Sequence, residues 1–139
     1  MNRQINAGVA ERVGAYSDAV EVPTGSTLLY VSGTPGIDVD SGDLPDGFKE
    51  QADLAWRNIL TILAEAKMGP ENIVKITQHL TRREDLADYR AIRNQYLGDN
   101  RPASMLTFLS GLVWPNMLIE LEVVASKQHE QFGNEQPAP

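Results

Sequence analysis

The sequence predicts an α+β fold, a two-layer sandwich in which two helices cover one face of a mixed sheet of about six strands. Hydrophobic residues alternate with a period of two in several segments, and they recur at three- and four-residue steps in two others. These segments follow one another in the order β-β-α-β-α-β-β, which is typical of a sheet with its helices on one side. The length of 139 residues fits one domain.

Two short strands are expected before the first helix. Residues 19–22 and 27–32 are rich in apolar side chains, and the Pro-Thr-Gly-Ser sequence at 23–26 predicts a turn between them. The first helix is predicted over residues 47–67, and Gly69 and Pro70 follow it in the usual stop positions. Its apolar positions form one stripe that a helix buries against a sheet: Phe48, Ala52, Ala55, Ile59, Ile62, Leu63 and Ala66.

The second half of the chain adds one helix and three strands. The expected elements are a strand over 72–80, a helix over 84–97, and strands over 103–110 and 117–127. The residues of this helix that lie close to one face are Leu86, Tyr89, Ile92, Arg93 and Tyr96. We expect one domain over residues 1–127 and a disordered polar tail over 128–139. Because both helices take one face of the sheet, an oligomer partner is the simplest cover for the other.

The composition excludes several classes of function. Twelve Lys and Arg against 19 Asp and Glu give a net charge of −7, which suits neither nucleic-acid phosphates nor anionic membrane surfaces. No apolar run approaches the roughly 20 residues that span a bilayer, and the first residues lack the apolar stretch of a signal peptide. The absence of Cys excludes a zinc ribbon and a thiol nucleophile. We therefore expect a cytoplasmic protein with no nucleic-acid partner and no membrane partner.

Most sites with a recognisable local spacing are missing. The sequence has no P-loop, no dinucleotide-binding glycine pattern and no G-x-S-x-G. Its two histidines, His79 and His129, are far apart, which argues against a histidine-rich metal site. Residues 38–43 look like the start of a calcium loop, but the EF-hand spacing fails because its last position is Lys49 instead of Glu. We expect no metal and no organic cofactor.

The last strand carries the most informative polar residues. Glu120 and Glu122 alternate with bulky apolar residues and therefore share one face of the strand. The pattern alone favours a half-exposed strand with a charged outer face. The functional alternative is a carboxylate that lines a cleft and handles a water or a proton. Four arginines between residues 82 and 93 are interleaved with acidic residues, which is typical of a mixed-charge helix surface. Tyr16 is either a core-edge residue or a site wall.

Several short segments form an ordered set. In the first half these are Gly14-Ala15-Tyr16-Ser17-Asp18-Ala19, Leu29-Tyr30-Val31-Ser32-Gly33, Asp40-Ser41-Gly42, Gln51 and Asn58-Ile59. In the second half they are Ile73-Val74-Lys75-Ile76-Thr77, Asp88-Tyr89, Pro102-Ala103, and Ile119-Glu120-Leu121-Glu122 before Ala125. Together, over residues 14–127, they resemble the Rid family, also called the YjgF/YER057c/UK114 family.

The resemblance implies a chorismate-mutase-like fold and a homotrimer whose clefts lie between subunits. Archetypal members hydrolyse reactive imines and enamines, such as 2-aminoacrylate, to a keto acid and ammonia without a cofactor. The resemblance also implies that Glu120 positions the attacking water and that Tyr16 lines the cleft. Ser32 and Gly33 match the strand end beside the site. Some members carry an endoribonuclease label, which the acidic balance of this chain does not support.

The chain departs from the family after Pro102 and Ala103. Deaminase members carry an Arg there that binds the substrate carboxylate as a bidentate fork, whereas this chain has Ser104, which carries no charge. Three interpretations stay open. The substrate lacks a carboxylate at that place; another cation replaces the Arg, with Arg90 the first candidate and Arg101 the second; or the site binds without catalysis.

The leading prediction is a Rid-type hydrolase or deaminase whose imine or enamine substrate differs from 2-aminoacrylate. Water adds to the C=N carbon, Glu120 orients and deprotonates it, and the adduct loses ammonia. Tyr16, Leu106 and Phe108 are expected to shape the pocket. One alternative is a non-catalytic trimer that binds a small metabolite. Another is a different reaction in the same cleft, where the apolar Met105 and Leu106 suit a ring or a ketone better than a small acid.

Overall fold

The computed structural model describes residues 1–129, which form six strands, two α-helices and three 3₁₀ turns. The strands are β1 Arg3–Ile5, β2 Ala19–Glu21, β3 Ser26–Pro35, β4 Ile73–Leu80, β5 Ala103–Phe108 and β6 Ile119–Gln128. The helices are α1 Phe48–Glu65 and α2 Leu86–Leu97. The 3₁₀ turns are Ala10–Arg12, Pro70–Asn72 and Arg83–Asp85. The α+β class is confirmed, and β1 is an addition to the expected order.

The six strands are divided between two sheets, whereas the sequence predicts one mixed sheet of about six strands. The main sheet is mixed and has the order β3-β6-β4-β5, in which β4 and β5 run parallel and the other neighbours antiparallel. The short β2 pairs with β1 in a separate antiparallel ribbon. This pairing has no clear signal in the sequence, because β1 is only three residues long and shows no apolar alternation.

Both helices pack on one face of the main sheet. On the sheet side, Ile76, Leu121 and Val123 are at most 1% exposed. Most of the predicted stripe of α1 is buried, but Ile62 is exposed, and Trp56, which the stripe did not include, is fully buried. Trp56 and Ile62 flank Ile59 on opposite sides of the helix. The helix is therefore turned toward Trp56, which stacks on Tyr96 of α2 with ring centroids 5.8 Å apart.

The other face of the main sheet carries no helix within the described residues, and we call it the bare face. Since Ile119, Leu121 and Val123 point toward the helices, Glu120 and Glu122 point the other way. The bare face also presents Leu28, Tyr30 and Met105, which are large apolar side chains left exposed. An apolar surface of this kind is typical of a face that another protein surface covers.

Strand β6 extends through Gln128, one residue beyond the expected end of the domain. The rest of the predicted tail, residues 130–139, lies outside the described residues. Neither α1 nor α2, nor any other helical segment in the described part of the chain, combines the length and apolar character that a bilayer crossing requires.

Candidate functional site

A cavity of about 300 Å³ lies at the β5 edge of the main sheet, between α2 and the segment that precedes β2. We call it the edge cavity. Five of the predicted substrate-binding residues line it together: Tyr16, Arg90, Ser104, Met105 and Leu106. Phe108, which was expected to shape the pocket, also lines it, as do Val13, Gly14, Leu86 and Arg93. The structure therefore brings most of the predicted substrate-binding residues to one place.

The wall that contains Tyr16 is held against β5 by its neighbours in the chain. The Ser17 hydroxyl donates to the Arg101 carbonyl, and the Ser17 backbone N–H donates to the Pro102 carbonyl at 3.1 Å. The Asp18 carboxylate accepts backbone N–H bonds from the preceding loop, including one from Ala10 at 2.7 Å. These bonds lower the pKa of Asp18 below its ordinary value. The segment 13–18 is thus fixed by bonds of its own backbone and short side chains.

A buried amide links α2 to the β5 wall. Gln78 is fully buried, and its Nε2 donates to the Ser104 Oγ at 2.7 Å and to the Met105 carbonyl at 3.2 Å. The Tyr89 hydroxyl donates to the Gln78 Oε1. Because a backbone carbonyl can only accept, the bond to Met105 fixes which end of the Gln78 amide is the nitrogen. Ser104 therefore accepts from Gln78, and its own hydroxyl hydrogen is left to donate elsewhere.

Arg93 is the one charged residue of the cavity lining that is not among the site residues predicted from the sequence. The expectation of a mixed-charge helix surface holds for Arg82, whose Nε lies 2.8 Å from the Asp85 carboxylate, but it is wrong for Arg93, which is only 6% exposed. Its place on the apolar face of the second predicted helix was the available signal. Burial lowers the pKa of Arg93, and the nearby charges of Arg90 and Arg101 lower it further.

The two arginines proposed to replace the missing cation are placed differently. Arg90 lines the edge cavity and is exposed to solvent. Arg101 lies outside the lining, and its guanidinium donates to the backbone carbonyls of Gly98 and Asn100 at 2.8 and 3.1 Å. Arg101 thus secures the loop before β5.

Glu120 lies apart from the edge cavity, on the bare face, beside the other two predicted site residues. In the register of the sheet it is opposite His79 of β4 and Pro35 of β3. The ladder between β3 and β6 is irregular between Val31 and Thr34, so Ser32 and Gly33 lie at this irregularity. A Cβ on Gly33 would come within 2.1 Å of the Glu120 Oε1. Because Gly33 has no side chain, the Glu120 carboxylate can occupy this space.

Two amides of α1 fix the strand ends around Glu120. The Asn58 Nδ2 donates to the carbonyls of Pro35 and Ile37, at 3.1 and 2.9 Å, and so holds the end of β3. The fully buried Gln51 holds the approach to β6, since its Oε1 accepts the Leu118 N–H at 2.8 Å and its Nε2 donates to the Asn116 carbonyl at 3.0 Å. Glu120 and Gly33 lie between these two anchors.

The predicted site residues thus form two groups within one chain. Strand β4 separates β6 from β5, so the two strands are about 10 Å apart at the usual spacing. Glu120 points to the bare face, whereas Ser104 points to the side of the buried Gln78. One small substrate cannot contact both groups of a single chain. Among the described residues, no group of three or more His, Asp or Glu side chains is arranged to hold a metal ion.

Comparisons with known proteins show which family this chain resembles. A family model described as endoribonuclease L-PSP matches residues 8–127. A RutC family protein of Aquifex aeolicus is 38% identical over 117 residues, which are 83% of this chain and 90% of that protein. The 2-iminobutanoate/2-iminopropanoate deaminase of Rattus norvegicus is 36% identical over 114 residues, 81% of this chain and 80% of that enzyme.

Solved structures show the same fold. RidA from an Antarctic Psychrobacter species superposes with a TM-score of 0.68 at 29% identity, covering 88% of this chain and 93% of that one. A protein of unknown function from Yersinia pestis, of the conserved Rid family, superposes with a TM-score of 0.77 at 23% identity. That match covers 89% of this chain and 97% of the other.

Proposed function

Because the chain belongs to the Rid family, with the family model matching residues 8–127, we propose that it is a hydrolase that deaminates a reactive imine or enamine. The relatives named 2-iminobutanoate/2-iminopropanoate deaminase, from Rattus norvegicus and Mus musculus, support this class of reaction. RNA cleavage is not proposed, because the net charge of −7 gives phosphates little attraction.

The observation that carries the proposal is the position of Glu120. Glu120 is half-buried, and its carboxylate lies against Gly33 on the bare face. Its neighbours along β6, Ile119 and Leu121, are fully buried on the opposite face of the sheet. No Lys, Arg or His of the described residues lies within ion-pairing distance of Glu120. A carboxylate that is neither paired nor fully exposed is suited to accept a proton from a water molecule.

The catalytic cleft lies between subunits of a homotrimer in this proposal. The bare face leaves Tyr30 75% exposed, which favours a covering subunit. Glu120 and the edge cavity cannot contact one small substrate within a chain, but two copies can supply one group each. The edge cavity of one copy then contributes Tyr16 and Ser104, and the bare face of its neighbour contributes Glu120.

The reaction needs no group beyond these side chains and water. An enamine first tautomerises to the imine. Glu120 takes a proton from water as the water oxygen bonds to the imine carbon, and the proton passes to the nitrogen. The tetrahedral adduct then forms a C=O bond and expels ammonia. The sum is imine plus water giving ketone plus ammonia.

The test is ammonia release from imines that an amino-acid oxidase generates in situ, together with enamines that lack a carboxylate. Release faster than the spontaneous rate supports a deaminase. The Glu120→Gln variant is expected to lose about 10²- to 10⁴-fold of the acceleration, the usual contribution of a general base. The matched control is Glu122→Gln, which removes the same charge two residues along the same strand face.

Both variants should keep the size and melting temperature of the parent protein. Acceleration that survives in Glu120→Gln would reject the assigned role. No acceleration by the parent protein with any imine or enamine would favour the second candidate, a trimer that binds a metabolite without turning it over. The uncharged Ser104 at the position of the expected Arg favours this candidate, and it would show as ligand-dependent stabilisation without ammonia.

A further inference from the structure

The edge cavity is positively charged in an acidic protein. Arg90 and Arg93 line it, and the guanidinium of Arg83 lies 4.6 Å from the ring centre of Phe108, another lining residue. Within residues 1–129, no carboxylate lies within 4.0 Å of a nitrogen of these three arginines. By contrast, Arg3 and Arg82 are each paired with an acidic residue. The charge around the cavity is thus not neutralised by the described part of the chain.

Arg93 has the least favourable surroundings of these cations. It is 6% exposed, and its Nε is buried without a hydrogen-bond acceptor among the described residues. Its guanidinium lies 6.0 Å from the ring centre of Tyr89, a weak partner for a buried cation. A guanidinium stays protonated in proteins, so it cannot relieve this situation by losing its proton. A buried, unpaired cation that borders a cavity calls for an anion.

Ser104 supplies a second donor on the opposite wall. Its Oγ accepts from the Gln78 Nε2, which is itself fixed by the Met105 carbonyl and by Tyr89. The hydroxyl hydrogen of Ser104 is therefore free to donate to a group in the cavity. A charged donor on α2 and a neutral donor on β5 suit two oxygens of one small anion.

We propose that Arg93 and Ser104 form a carboxylate-binding site in the edge cavity, and that the ligand is a small organic acid whose apolar part packs on Leu86 and Leu106. Arg93, rather than Arg90 or Arg101, then supplies the charge that Ser104 lacks. Arg90 is exposed, so water screens it, and it assists the approach of the anion. This proposal rests on the proposed function only where it concerns turnover of the ligand. Binding of the acid does not depend on whether the protein is a deaminase.

The test is the binding of 2-oxobutanoate, the keto acid that hydrolysis of 2-iminobutanoate yields, and of 2-oxobutanamide, its uncharged analogue. Calorimetric titration of the assembled protein should show the acid binding at least about tenfold more tightly than the amide, because a charge-assisted hydrogen bond is lost in the amide. Arg93→Gln should weaken acid binding by a similar factor and leave amide binding unchanged. Arg57→Gln, which removes the same charge from the exposed side of α1, should bind both as the parent does.

A measurement on the parent protein covers the case in which Arg93→Gln does not fold. The Nε–H resonance of Arg93 should shift on addition of 2-oxobutanoate and stay in place on addition of the amide. Equal binding of acid and amide by the parent protein would overturn the proposal. An Arg93 Nε–H resonance that does not shift on addition of 2-oxobutanoate would also overturn it.

The two proposals fail separately. Acid binding through Arg93 without ammonia release would leave the carboxylate site standing and reject the deaminase. Suppose instead that ammonia release depends on Glu120 and is equally fast for substrates with and without a carboxylate. This result would support the deaminase and reject the carboxylate site.

Discussion

The two faces of the main sheet differ in how far their side chains are buried and paired within the chain. On the helix-covered face, Ile76 and Leu121 are fully buried, and the buried amides of Gln51 and Gln78 find partners for both their oxygen and their nitrogen. On the bare face, Tyr30 is largely exposed, and Glu120 has no cation partner within the described residues. The amides of the helix-covered face are paired within the chain, although the buried Trp56 Nε1 has no hydrogen-bond partner among the described residues. The bare face presents groups that still need a partner.

The difference separates residues that build the fold from residues that act on something outside it. A polar side chain that the protein buries and pairs contributes to a unique structure. One that the protein places in a defined position and leaves unpaired is available to a ligand or to a neighbouring subunit. Glu120 on the bare face and Arg93 at the edge cavity belong to the second class. The following predictions test this division, in order of expected effect.

Trp56→Ala should have the largest effect on stability, because Trp56 is fully buried on the helix-covered face and stacks on Tyr96. We expect the free energy of unfolding to fall by about 3–5 kcal/mol, the usual range for truncating a buried Trp. Chemical denaturation of the variant measures the change. A loss below about 1 kcal/mol would mean that the core under α1 relaxes to fill the cavity.

Two glycines near the end of β3 provide a matched comparison. A Cβ on Gly36 would lie 2.1 Å from the Gln51 backbone carbonyl oxygen, so Gly36→Ala must move α1 and should cost about 1–3 kcal/mol of stability. The three atoms nearest to a Cβ on Gly33 all belong to the flexible Glu120 side chain, which can rotate away. Gly33→Ala should therefore change stability by less than about 0.5 kcal/mol, yet reduce ammonia release by displacing the carboxylate. Melting curves and the ammonia assay on both variants check this.

The strands and helices could be predicted from the sequence because burial on one face imposes a period on it. In β6 the fully buried Ile119 and Leu121 alternate with Glu120 and Glu122, and this period predicts that the two glutamates share one face of the strand. The β1–β2 ribbon could not be predicted, since three residues are too few to show a period.

The site could be predicted only in part, for a different reason. The proximity of Glu120 to Gly33 followed from the family resemblance, because the alternation alone does not show which neighbouring strand approaches Glu120. Arg93 borders a cavity whose other wall includes Val13, Gly14 and Tyr16, which are distant in sequence and precede the bridge between Ser17 and Ala103 of β5. The position of Arg93 on the apolar face of its helix was a local sign of burial, but the neighbouring charges favour a mixed-charge surface, and the sequence does not show that this face borders a cavity.

Tyr30→Asp should weaken assembly without unfolding the subunit. Tyr30 is 75% exposed in the single chain and lies on the bare face near Leu28 and Glu122, so a charge there disfavours a covering subunit. We expect the subunit dissociation constant to rise at least about tenfold, equivalent to about 1.4 kcal/mol. Sedimentation velocity at several concentrations measures this. Thr61→Asp adds the same charge to the outer side of α1 and should leave assembly unchanged. Equal assembly of the two variants would show that the bare face is not the interface.

Asp18 should have the smallest and most local effect. Its pKa is lowered because its carboxylate accepts backbone N–H bonds from Ala7 and Ala10, and this favours the folded arrangement while the carboxylate is ionised. Because the folded pKa lies below the ordinary value of 3.8, the contribution is complete above about that pH and is lost as the pH falls through the lower, folded value. At neutral pH, Asp18→Asn should speed hydrogen exchange at the amides of Ala7 and Ala10 with little change in melting temperature. If exchange is unchanged, the wall of the edge cavity is held by the bonds of Ser17 alone, and acid should not loosen it.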